Sequence, residues 1–119
     1  MPIAPATSQS FAADLDRRSG ARRPLRVAAI VVLAGGQQLS ARTVDIGLRA
    51  LSIQVDQNLP AKTPCEVQLS LPVKGVSHSM RLHAQVAHAI LSGTSFRIDL
   101  TLHNTLAADD MALEQFVVS

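Results

Sequence analysis

Between Val27 and Leu100, apolar side chains recur at alternate positions in one short run after another, and turn-forming residues separate the runs. A period of two is the repeat of a strand with one buried face, and it cannot keep an apolar stripe on one side of a helix. Leu51, Ile53 and Val55 alternate with Ser52, Gln54 and Asp56, and Val67, Leu69 and Leu71 alternate with Glu66, Gln68 and Ser70. Phe96, Ile98 and Leu100 form the last such run. Val27 to Leu33 is a continuous apolar run ended by Gly35-Gly36, a hairpin signal. Gln38 to Ile46 then puts Leu39, Ala41, Thr43 and Asp45 on one face and Ser40, Arg42, Val44 and Ile46 on the other, before a kink near Gly47. Asn58 to Pro64 reads as a loop, and Lys74-Gly75 turns into a long strand over Ser77 to Ile90. On that strand Met80, Leu82, Ala84, Val86 and His88 share one face, and Arg81, His83, Gln85 and Ala87 share the other. Ser92-Gly93 is the last turn. Only the C-terminal end has helical spacing, with Asp109 and Asp110 placed where a helix N-terminus favours anions, then Leu113, Phe116 and Val117. The pattern predicts a mainly β fold, a small six-stranded antiparallel barrel with a C-terminal helix.

A chain of 119 residues is sized for one core. The expected division is a flexible tail over 1–16, mixed in Pro, Ala, Ser and Thr, and one domain over 17–118. No apolar run approaches the roughly 18 to 20 residues that span a bilayer, and 1–16 lacks the basic and apolar regions of a secretory signal. Cys65 is the single cysteine, which excludes an internal disulfide and a cysteine-based zinc site, and a cytoplasmic location is expected. No GxSxG, P-loop, GxGxxG or HExxH is present, so no enzyme is expected. His78, His83 and His88 are five apart, a spacing that alternates faces on a strand, so no metal site is expected either. Cys65 has no histidine partner near it in sequence and reads as a small packing residue.

Charge is concentrated rather than spread. Arg17, Arg18, Arg22, Arg23 and Arg26 lie in one short arm, while the six basic and seven acidic residues from Val27 onward leave the body near neutral. Two RxxxR spacings are present, Arg18 with Arg22 and Arg22 with Arg26. On an extended chain, residues four apart project to one side about 13 Å apart, a separation suited to gripping two parts of a phosphate ligand. The same arm also suits a solvated basic linker or a nonspecific nucleic-acid tail.

After the glycine hairpin comes Thr43-Val44-Asp45-Ile46-Gly47-Leu48-Arg49-Ala50-Leu51-Ser52-Ile53. With the arm upstream, this resembles the PilZ domain family, small six-stranded barrels that bind cyclic di-GMP through an N-terminal RxxxR and a following (D/N)xSxxG. Arg22-Arg23-Pro24-Leu25-Arg26-Val27 is similar to that family's approach to its first strand, Leu69-Ser70-Leu71-Pro72 to its central strand and turn, Gln85-Val86-Ala87-His88 to its long strand, and Leu113-Glu114-Gln115-Phe116 to its terminal helix. The resemblance runs from about Arg17 to Val118 and selects Arg18 and Arg22 as the motif arginines. It implies that they hold the phosphates and guanine faces, that Arg17 lies beside them, and that Asp45 takes the guanine N1 and N2 donors. It implies no cofactor, no catalysis, and relay to an unidentified effector protein in motility, surface polysaccharide production or virulence.

The chain departs from that pattern in the second motif, which reads DxGxxA: Gly47 stands where the family has serine and Ala50 where it has glycine. Arg49 replaces what is often another glycine and offers a phosphate contact. Losing the serine hydroxyl forfeits one hydrogen bond, about 0.5 to 1.5 kcal/mol, and restoring it at Gly47 is expected to tighten binding. An alanine where φ > 0 is needed adds strain of roughly 1 to 2 kcal/mol. Three readings stand at this point. The first is a cyclic di-GMP receptor using Arg17, Arg18, Arg22, Asp45, Gly47, Arg49 and Ala50. The second is a divergent adaptor that binds no nucleotide and acts by protein contact. The third is a nucleic-acid-binding barrel, disfavoured by the neutral body and the 3% aromatic content.

Overall fold

The computed structural model describes residues 21–103 and 107–118. Its elements are β1 (Arg22–Pro24), β2 (Ala28–Leu33), β3 (Gln38–Gly47), β4 (Ala50–Val55), β5 (Pro64–Val73), β6 (Val76–Ser92), β7 (Ser95–His103) and α1 (Ala107–Val118). All strand pairings are antiparallel, in the order β1-β3-β2-β5-β6-β7-β4. An additional β3–β4 pairing joins the two ends, so β2 to β7 form the expected closed ring of six. β6 makes closure possible by length, since its first half pairs with β5 and its second half with β7. The Lys74-Gly75 turn is a two-residue hairpin in which both residues take positive φ, 51° and 79°, the hand that matches strand twist.

The arm contributes a seventh, short strand. β1 continues the line of β2 along the same edge of β3, pairing Arg22, Arg23 and Pro24 with Gly47, Ile46 and Asp45. Between β1 and β2 the link stays bonded to β3, from the Leu25 amide to the Val44 carbonyl at 3.1 Å and from the Thr43 amide to the Val27 carbonyl at 2.9 Å, and the buried Thr43 side chain adds to these bonds. Its hydroxyl accepts from the Val27 amide at 2.9 Å and donates to the Leu25 carbonyl.

Inward-facing residues of every barrel strand make one core, with Ile46, Leu51, Ile53, Leu71, Leu82 and Ile98 fully enclosed. α1 packs on β5, β3 and β1 and contributes Ala112, Leu113 and Phe116 to that core. Among the described residues, no helix is long and apolar enough to cross a membrane.

Two β-bulges correct the simple alternation. In β3, Thr43 pairs with Ile53 and Asp45 with Ser52, so Val44 is an extra residue. In β6, Val86 pairs with Leu100 and His88 with Asp99, so Ala87 is extra. An extra residue reverses the facing of everything after it. Ile46 therefore enters the core in place of Asp45, and Asp45 faces outward. His88, expected beside Val86 on the inner face, also faces outward, and His83 and His88 are both exposed despite their odd spacing.

Candidate ligand-binding site

The bulges place four polar residues in one row across the outer face. Strand register sets Asp45 of β3 opposite Ser52 of β4, Ser52 opposite Asp99 of β7, and Asp99 opposite His88 of β6. Two guanidiniums lie on this row. Arg22, from β1, donates from NH1 to Asp45 Oδ1 at 3.2 Å and to Ser52 Oγ at 3.0 Å. Arg97, from β7, reaches from NH2 to Ser52 Oγ at 3.5 Å. That nitrogen also lies 3.7 Å from Asp45 Oδ2, and the Arg97 Nε lies 3.6 Å from Asp99 Oδ1.

Ser52 is the hub. It is completely buried beneath the two arginines, although it sits on the outward side of its strand. Its hydroxyl accepts from both guanidiniums and donates to Asp99 Oδ1 at 2.5 Å. The other Asp99 oxygen pairs with His88 Nε2 at 2.7 Å. Burial opposes ionisation of Asp99, but the Ser52 hydroxyl, with the charges of His88, Arg97 and Arg22, outweighs it and holds the carboxyl below its ordinary range. The Arg97 Nε is buried and has no hydrogen-bond partner among the described residues.

Neighbouring residues on an extended strand point to opposite sides, and this divides the arm's arginines. Arg22 enters the site. Arg23 turns to α1, donating from NH1 to the Phe116 carbonyl at 2.8 Å with its guanidinium 4.4 Å from the centre of the Phe116 ring. Of the residues singled out in the sequence, Arg22 and Asp45 come into contact. Arg17 and Arg18 lie outside the described residues. Arg49 is exposed, and its carbonyl accepts from the Leu102 amide at 2.9 Å. Ala50 is the first residue of β4, paired with Thr101 and without positive φ, so the strain expected of an alanine there is absent.

Gly47 has a different role from the one expected. It lies directly under the arm, and a Cβ built on it meets the Ala21 carbonyl oxygen at 2.5 Å. The glycine permits the close approach of two backbones. A serine at this position requires the backbone of the arm or of β3 to shift. The hydroxyl that contacts Arg22 comes instead from Ser52.

Sequence reasoning missed Ser52, His88, Arg97 and Asp99. Ser52 and Asp99 each stand between apolar residues of an alternating run, but which strands are neighbours and how they align depend on topology and register, which alternation alone does not supply.

Other candidates carry less chemistry. A groove of about 920 Å³ lies over β2, β5 and β6, and its described lining is largely Ala, Ser, Ile and Leu, with Arg81 and Asp109 as its charged residues. Burial pushes the Cys65 thiol up to about 11, so it is protonated near neutrality and a poor nucleophile. Among the described residues, no three His, Cys, Asp or Glu side chains are grouped to hold a metal.

No protein-family model matches the sequence, and comparison with curated proteins finds no match. Solved structures do match. The Bacillus subtilis inhibitor of motility (MotI/DgrA) superposes with a TM-score of 0.74 at 12% identity, over 82% of this chain and 48% of that one. The chain thus spans about half the length of that protein. The PilZ domain of CeSA from a cellulose-synthesizing bacterium superposes with a TM-score of 0.59 at 16% identity, over 82% of this chain and 94% of that domain. Ring closure, the arm strand laid against β3 and these superpositions agree on one conclusion: the chain has a PilZ-like fold.

Proposed function

We propose that the chain is a non-enzymatic receptor for cyclic di-GMP that relays occupancy of the Arg22–Asp45 site to a partner protein. One observation carries this reading. The arm arginine and the strand-end aspartate, 23 positions apart, meet at 3.2 Å on the outer face of a PilZ-like barrel. A guanidinium donates to guanine O6 and N7 or to phosphate, and a carboxylate accepts from guanine N1 and N2, so this pair suits a guanine nucleotide. Relay follows from β1. Moving Arg22 toward a ligand shifts a three-residue strand whose next residue, Arg23, holds the C-terminal turn of α1. The output is regulation of motility or of polysaccharide production, in keeping with the motility inhibitor and the cellulose-synthesizing bacterium among the structural neighbours.

A second reading, an adaptor that binds no nucleotide, is favoured by the contacts that Arg22 and Arg97 already make with Asp45 and Asp99. A ligand must replace or join those contacts. Calorimetric titration with cyclic di-GMP separates the two. The receptor gives micromolar or tighter binding in the parent, with at least a tenfold loss in Arg22→Ala and Asp45→Ala, roughly 1.4 kcal/mol or more. The adaptor gives no binding in the parent.

A further inference from the structure

The site contains a second carboxylate and guanidinium arranged like the first. We infer that Asp99, with Arg97 beside it, is a second guanine-reading position, so that one cyclic dinucleotide is read at both of its bases. The inference rests on the cyclic di-GMP reading proposed above and adds to it the base selectivity of the site.

Asp45 and Asp99 both stand opposite Ser52, one on each neighbouring strand. Two strand spacings separate their backbones, roughly 9.5 Å, and both face outward. Arg97 lies between them, 3.7 Å from one carboxylate and 3.6 Å from the other. Asp45 has Arg22 on Oδ1 and Arg97 near Oδ2, and Asp99 has Ser52 on Oδ1, with the Arg97 Nε 3.6 Å from the same oxygen, and His88 on Oδ2. A carboxylate has about four acceptor positions. Those contacts leave acceptor capacity on every oxygen, with the side chains 22% and 17% exposed. Two open acceptors on one planar group match the parallel N1–H and N2–H donors of guanine. Adenine offers an acceptor, N1, where guanine has a donor, and two facing acceptors repel. The lowered ionisation range of Asp99 keeps it an acceptor at neutral pH.

Calorimetric titration with cyclic di-GMP, beside the hybrid cyclic GMP–AMP, tests this. If Asp45 alone reads a guanine, the hybrid places its one guanine there and loses only a statistical factor of about two. With two reading positions, the hybrid loses about 5- to 150-fold, the discrimination carried by one good bidentate contact. Asp99→Asn presents an amide that can match adenine N1 and N6, and its ratio is expected to fall to about two or to invert. A parent ratio of fivefold or more that collapses in Asp99→Asn supports the inference. A smaller parent ratio, or an unchanged ratio in Asp99→Asn, overturns it while leaving the receptor reading intact. Absence of cyclic di-GMP binding in the parent overturns both. Should Asp99→Asn fail to fold, Asp99→Ala takes its place: it removes the acceptor, and a ratio unchanged from the parent overturns the inference.

Discussion

Gly47→Ser sets two effects against each other. On the pattern of the second motif, the serine adds a hydroxyl to the ligand and gains about 0.5 to 1.5 kcal/mol, up to about tenfold in affinity. The structure reverses the sign. An added Cβ lies 2.5 Å from the Ala21 carbonyl oxygen and 3.4 Å from Arg22 Cγ. Carbon–oxygen contacts settle at about 3.3 to 3.6 Å, so something must move by nearly 1 Å. The nearest atom is backbone at the start of β1, whose register on β3 begins at the Arg22–Gly47 pair, so the arm gives way rather than a flexible side chain. Overpacking of this kind costs about 1 to 3 kcal/mol, and the displaced arm takes the Arg22 guanidinium away from Asp45 and Ser52. The expected result is a melting temperature lower by roughly 4 to 12 °C, at about 4 °C per kcal/mol, with weaker binding of cyclic di-GMP. Gly47→Ala, which has the Cβ without the hydroxyl, should lose a similar amount, which isolates the steric cause. Thermal melts and calorimetry on the three proteins test this. A serine variant that melts within about 1 °C of the parent and binds more tightly refutes the close-approach argument.

Two further outcomes follow from the same contacts. The folded-state pKa of Asp99 is depressed, so its contribution to stability is complete above the ordinary carboxyl range near pH 4 and is lost as pH falls through the folded value. Between about pH 5 and pH 2 the melting temperature of the parent should therefore fall more steeply than that of Asp99→Asn, and parallel curves would contradict this. Thr43→Val keeps the shape of a fully buried side chain but leaves the Val27 amide without its hydroxyl acceptor. A loss of about 1 to 3 kcal/mol is expected in urea unfolding, against no change if the link between β1 and β2 is held by packing and its backbone bonds to β3 alone.

Fold class was legible because alternation and turn chemistry are local. Leu51, Ile53 and Val55 go inward as their spacing demands, and Lys74-Gly75 turns where its backbone freedom allows. The helix at the C-terminus was legible for the same reason. Half of the site was legible as well: an arginine arm and Asp45 at the end of a strand are visible in one dimension, and they do meet. The other half was not. Val44 and Ala87 carry no residue signal of a bulge, yet each reverses its strand and turns Asp45 and His88 outward. Ser52 and Asp99 were legible as polar positions, but their alignment with those two residues follows only from the register of four strands.

The sequence by itself determined the six barrel strands and the helix, because the period of two and the turn residues act over a few bonds. The tertiary structure decided which charges share a surface, why Gly47 must lack a side chain, and which hydroxyl serves Arg22. Those outcomes depend on distances of a few ångströms between segments dozens of residues apart, which the pairing of β1 on β3 and closure of the barrel set together.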